Sequence, residues 1–183
     1  MTQFDMHTIE TAPEGSKKIL EGVTAKYSFL PNLMGKMAEA PATLEAYTTL
    51  AGIFDKAELS ATERQVIMMT VNRLNGCTYC MAAHSTISRM TGVTDDVIDA
   101  LRTNIVIADP KLEALRQFTI VMHETRGWPT DEAVQAFLAV GYTKQTMLEV
   151  VLGISYKTIS NYTNHLAHTP VDDAFSADEW IAA

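Results

Sequence analysis

Cys77-Thr78-Tyr79-Cys80 sets two thiols two residues apart, and His84 follows four residues after the second. A disulfide across so short a loop removes little entropy from the unfolded chain, so its structural value is small. Cycling between dithiol and disulfide is the better use of such a pair. Asn75-Gly76 interrupts the chain just ahead of it, which puts Cys80 in the first turn of the following helix. Free amides and the positive end of the helix dipole favour a thiolate at that place. His84 shares the helix face of Cys80 and is placed to take the thiol proton and return one to a leaving group. Two other readings of these residues stand beside this one. Two Cys and one His are three ligands of a zinc site, with His123, His165 or His168 as the fourth, although the second tight ligand pair of a structural site is missing. The cysteines are otherwise two buried, inert thiols.

The elements that must hold these residues read as helices. Pro13-Glu14-Gly15-Ser16 starts one, with Ile19, Leu20, Val23 and Tyr27 on its face, and Pro31 breaks it. Pro41 opens the next, which carries Leu44, Tyr47, Leu50, Ala51 and Phe54. Ser60 and Glu63 form a capping box ahead of Val66–Val71, a run that is apolar on every side and so belongs inside. The dyad helix ends at Gly92. Thr94-Asp95-Asp96 caps a short helix to Leu101, Pro110 opens a longer one, and Ala133–Val140 stops at Gly141. Thr143 to about Leu166 is the longest periodic stretch, with Met147, Val151, Ile154 and Tyr162 in one register and Leu148, Leu152 and Ile159 beside them. No alternating strand pattern occurs, so the expected fold class is all-α. Thr62–His84 and Thr143–His165 echo one another, a candidate internal helical repeat. The expected layout is an irregular arm at 1–12, a helical domain at 13–175 and a tail at 176–183.

Composition narrows the function. The 183 residues include 47% hydrophobic and 20% charged side chains, enough apolar surface to fold as one domain. The net charge of −8 without a basic cluster argues against nucleic acid or an anionic membrane as partner. The first residues lack the charged and apolar regions of a secretory signal, and the expected location is the cytoplasm.

Leu59-Ser60-Ala61-Thr62-Glu63-Arg64-Gln65 and Asn75-Gly76-Cys77-Thr78-Tyr79-Cys80-Met81-Ala82-Ala83-His84 resemble the AhpD-like superfamily, which joins alkylhydroperoxidase D to the carboxymuconolactone decarboxylases. Lys157–Leu166 with Thr169-Pro170 resembles the end of the same domain in its peroxidase-related branch. The resemblance implies an AhpD-like multi-helical bundle, a homo-oligomer (trimer or hexamer), and reduction of a small hydroperoxide through a dithiol/disulfide cycle. It makes Cys80 the attacking thiolate, Cys77 the resolving thiol and His84 part of a proton relay, with Tyr79 between the cysteines. Members that decarboxylate muconolactone generally lack the cysteine pair, which points to the peroxidase side. The electron donor implied is a protein dithiol, and no metal or organic cofactor is called for. The family relay also uses a Glu twelve residues before the first Cys, and that position is Gln65 here. An amide cannot carry a proton as a carboxylate does, and Glu63, two residues earlier, is the nearest substitute in sequence. Two alternatives remain: a carbon–carbon lyase using His84 as acid and base, and a non-enzymatic oligomer whose cysteines sense redox state or exchange disulfides.

Overall fold

In a computed structural model that describes residues 3–182, nine α-helices follow one another and no strand occurs among the described residues. They are α1 (Glu14–Tyr27), α2 (Asn32–Met37), α3 (Pro41–Phe54), α4 (Ala61–Leu74), α5 (Thr78–Met90), α6 (Asp95–Thr103), α7 (Pro110–Glu124), α8 (Asp131–Ala139) and α9 (Lys144–Ala167), with a 3-10 helix at Asp173–Asp178. The local signals account for most of the boundaries. Ser60 and Glu63 close the capping box that opens α4, Asp109 caps α7 ahead of Pro110, and Thr130 caps α8. Gly76 takes a positive φ of 64° between α4 and α5, a conformation that costs glycine nothing. Among the described residues no helix is long and apolar enough to cross a membrane.

Two apolar clusters fill the interior. One gathers Val66, Ile67 and Met69 of α4 with Ile98, Leu101, Leu115, Phe118 and Phe137 from α6, α7 and α8. The other gathers Leu20, Leu33, Met37, Leu44 and Tyr47 from α1, α2 and α3 with Cys77, Cys80 and Phe175. Helix α5 lies between them, sending Met81 into the first and the cysteines into the second. Helix α9 also reaches both, and Tyr156 touches each cluster. At Gly153 α9 comes so close to its neighbours that an added Cβ would lie 2.7 Å from Ile67 Cγ2 and 3.0 Å from Phe54 Cζ.

Four features depart from the sequence reading. Pro31 ends nothing; its fixed φ lets it serve as the N-cap of α2, a helix the sequence reading passed over. Helix α9 runs unbroken where Thr62–His84 turns sharply at Gly76, so the candidate repeat is an echo of composition and not of structure. The apolar registers of α9 are also turned outward in part. Leu148, Val151, Tyr162 and Leu166 are exposed, and the buried face carries Lys157, Ser160, Asn161 and Asn164. The 3-10 helix at Asp173–Asp178 has no counterpart in the sequence reading. The expected arm at 1–12 and tail at 176–183 extend into positions 1, 2 and 183, which lie outside the described residues. What is described of them packs closely: His7 N–H donates to Gly35 O at 3.3 Å, and Trp180 Nε1 donates to Arg102 O at 3.0 Å.

Candidate active site

Cys77 is the N-cap of α5, and Cys80 stands in its first turn, as the Asn75-Gly76 break implies. Both thiols are free and buried. Cys80 is 2% exposed. The polar face of α9 lies against it. Asn164 Nδ2 donates to Cys80 Sγ at 3.1 Å and reaches Cys77 Sγ at 3.8 Å, and Ser160 Oγ lies 3.8 Å from Cys80 Sγ. Asn161 donates to Asn72 Oδ1 at 2.9 Å, and Asn72 in turn donates to the Cys80 carbonyl at 3.1 Å, which ties α4, α5 and α9 together behind the thiols.

The two thiols are driven apart in acidity. Burial works against the Cys80 thiolate, but the hydrogen bond from Cys77, the charge of Lys157 and the Ser160 and Asn161 side chains outweigh it and bring its pKa down to about 5. The bond that Cys77 gives to Cys80, and then burial, push the Cys77 thiol up. The two protons belong to the pair as much as to either residue. The form that results is one thiolate, on Cys80, and one thiol, on Cys77.

His84 hydrogen-bonds Lys157 and Gln65, and not Cys80. Lys157 Nζ sits 2.9 Å from His84 Nε2, and His84 Nδ1 sits 2.9 Å from Gln65 Oε1. An ammonium has only hydrogens to offer, so Nε2 must accept. Burial first, and the Lys157 charge second, hold the His84 pKa well below its usual range, so the ring is neutral and its one hydrogen is on Nδ1. Gln65 therefore presents its oxygen to that hydrogen. Lys157, Gln65 and His84 are all buried, Lys157 to 1% exposure. The positive charge beside the thiolate belongs to the lysine and not to an imidazolium.

The other candidates fall outside this group. Glu63 is held in the capping box by Ser60 and lies 3.5 Å from Lys111, so it does not stand in for a relay carboxylate. Tyr79 donates its hydroxyl to Asp172 at 2.6 Å and accepts from Leu33 N at 3.3 Å. It ties the start of α5 to α2 and to the C-terminal segment, a positioning role. His123 Nε2 bonds Asn75 Oδ1 at 3.0 Å, and His168 ends α9 in a left-handed conformation.

Residues 39–120 match the carboxymuconolactone decarboxylase family. The matched stretch contains Gln65, both cysteines and His84. The fold is AhpD-like. Among solved structures of this fold is the alkylhydroperoxidase AhpD core of an uncharacterized peroxidase-related protein from Ralstonia eutropha JMP134, with a TM-score of 0.84, 20% identity, and 94% of this chain and 93% of that one covered. An uncharacterized peroxidase-related protein from Silicibacter sp. TM1040 gives 0.80 at 17% identity, covering 95% and 92%. A cysteine-to-alanine variant of the debrominase Bmp8, in complex with 2,3,4-tribromopyrrole, gives 0.79 at 18% identity, covering 97% and 96%. No curated protein matches the chain significantly in sequence.

In this AhpD-like domain the sequence reading missed Lys157, Ser160, Asn161 and Asn164. Their spacing was the available signal. They recur at i, i+3, i+4 and i+7, the spacing of a buried helical stripe, with polar residues where apolar ones are usual. Tyr47 and Tyr156 complete the surroundings. Their rings stack at 4.8 Å and their hydroxyls lie 3.1 Å apart, in the cluster that holds Cys80.

Proposed function

We propose that this protein is a thiol-dependent hydroperoxide reductase. The observation that supports it most is the pairing of one buried thiolate, Cys80, with a buried cation, Lys157, and a second thiol, Cys77, that donates a hydrogen bond to it. A low-pKa thiolate attacks the outer oxygen of ROOH: the S–O bond forms as the O–O bond breaks, and two electrons pass from sulfur to the peroxide. The departing alkoxide takes a proton from the Lys157 ammonium and leaves as the alcohol. Cys77 then displaces the hydroxyl of the Cys80 sulfenic acid, closing the disulfide and releasing water. A protein dithiol returns two electrons and two protons, one to Cys77 and one to Lys157.

The likeness to the debrominase Bmp8 favours one further reading, thiolate attack on a halogenated pyrrole. One pair of assays separates the two. Reduced protein with a dithiol and cumene hydroperoxide should consume the peroxide, and Cys80→Ser should abolish the consumption. Loss of bromide from a bromopyrrole with no peroxide consumption would overturn the peroxidase reading. Turnover of a lactone acid by a variant with both cysteines changed to Ser would move the assignment to a lyase. Disulfide exchange without either turnover would move it to redox sensing.

The exposed apolar face of α9 (Leu148, Val151, Tyr162 and Leu166) supports self-association as part of this reading.

A further inference from the structure

Five buried side-chain polar atoms have no hydrogen-bond partner among the described residues: Thr24 Oγ1, Tyr142 OH, Glu149 Oε2, Thr169 Oγ1 and Asn164 Oδ1. Only the last belongs to a side chain that also bonds the thiols. Which end of the Asn164 amide faces Cys80 follows from chemistry. A thiolate has no hydrogen to give, so it must be met by Nδ2, 3.1 Å away. The oxygen of the same rigid, planar group is then an acceptor with nothing to accept, at a residue only 5% exposed. Buried acceptors are kept unpaired at a cost, and one kept beside a nucleophile calls for a ligand that donates a hydrogen there.

We propose that Asn164 is a catalytic residue whose Oδ1 receives the terminal O–H of the hydroperoxide while its Nδ2 holds the Cys80 thiolate. The inference rests on the peroxidase reading and specifies how the substrate binds. A hydroperoxide carries its only strong donor on the oxygen that sulfur attacks. One amide therefore aligns both reacting atoms, with the R group directed away. As the O–O bond breaks, the HO group being transferred is electron-poor and its O–H becomes a stronger donor. The bond to Oδ1 tightens towards the transition state, which is the condition for it to speed the reaction. The hydrogen is not transferred: it remains on oxygen in the Cys80 sulfenic acid, whose O–H keeps the same acceptor until Cys77 displaces the hydroxyl. A dialkyl peroxide, having no O–H, lacks this contact. The substrate class is therefore compounds with a free –OOH.

The test compares two reagents on the reduced, full-length protein above pH 7, where Cys80 is a thiolate. Cumene hydroperoxide donates an O–H. Methyl methanethiosulfonate reacts with the same thiolate and donates nothing. Asn164→Ala should slow both by loss of the Nδ2 contact, and should slow the peroxide further, lowering the ratio of the two rate constants about tenfold. Asn164→Leu serves the same purpose if the alanine chain melts early. Asn164→Asp keeps an acceptor at this position and should keep the wild-type ratio while its pH profile shifts upward. An unchanged ratio in Asn164→Ala or Asn164→Leu, or an equal loss of the ratio in Asn164→Asp, overturns the proposal and leaves the peroxidase reading intact. A wild-type protein that reacts with the thiosulfonate at Cys80 but not with the peroxide overturns both.

Discussion

The Lys157 ammonium lies 2.9 Å from His84 Nε2 in the protein interior, and none of the ion pairs among the described residues includes it. A buried cation without a carboxylate needs another counter-charge, and the one beside it is the Cys80 thiolate. The pair also gives Gln65 its purpose. The resemblance led to an expectation of a carboxylate at that position, which would support an imidazolium. Here the imidazole is neutral and the amide fixes its tautomer through Nδ1. The positive charge in this group lies on the lysine and not on the histidine.

Cys80 should therefore alkylate far faster than Cys77 at neutral pH. Because its pKa is lowered to about 5, the rate should rise with pH through that value and level off above it. A mass-resolved iodoacetamide time course between pH 4 and pH 9 reads both. Equal, slow labelling of the two thiols would mean they are inert core residues.

Lys157→Met removes the positive charge and keeps most of the volume. Without the cation the thiolate is less favoured, so the Cys80 pKa should move up and peroxide turnover at pH 7 should fall by roughly tenfold or more. Folding should survive, since the change also removes a buried charge. The alkylation profile locates the new inflection, and an unmoved inflection would remove Lys157 from the account.

Gln65→Glu should behave differently in two backgrounds. Alone, it sets a buried carboxylate in competition with Cys80 for the one positive charge, so turnover should fall or stay level, against the gain that a missing carboxylate relay would lead one to expect. Combined with Lys157→Met, it lets His84 become the cation, and turnover should recover part of what Lys157→Met loses. Peroxide kinetics on the four proteins give the coupling directly. Additive effects would show that Gln65 and Lys157 do not share a charge.

Gly153→Ala tests the contact of α9 with α4. Alanine would stabilise an isolated helix by up to about 1 kcal/mol, but overpacking of a tight core costs about 1–3 kcal/mol. With Ile67 Cγ2 at 2.7 Å from the new Cβ, the second effect should win and the melting temperature should drop. A thermal melt with an unchanged or raised midpoint would show that α9 can shift freely.

The outward apolar face of α9 should be covered by a second copy of the chain. Light scattering at micromolar concentration should give a multiple of 20.2 kDa, and Leu148→Lys with Tyr162→Lys should reduce it. A wild-type mass of one chain would rule the assembly out.

Half of the site could be read from the sequence because it is local. Gly76 had to bend, the bend put Cys80 in a first turn, and Gln65 and His84 lie on helices joined by that bend. Lys157 and Asn164 come from a helix far along the chain, and no periodicity states which helix will pack on α5. Their stripe was present, but α9 also carries apolar registers, and apolar faces are ordinarily assigned to the core. Helix α2 was missed because proline both ends helices and begins them. The 3-10 helix spans one short segment whose place is set by Phe175 packing beside Tyr79.

The contact between α5 and α9 also orders events in time. During synthesis Cys80 leaves the ribosome 77 residues ahead of Lys157 and 84 ahead of Asn164. Until α9 docks, the nascent chain carries two ordinary thiols, protonated at neutral pH and slow towards oxidants. The α9 contacts that favour the Cys80 thiolate come into being only with the last long helix. A chain stalled or truncated before α9 would thus hold both cysteines without the Lys157, Ser160 and Asn161 side chains that favour the Cys80 thiolate.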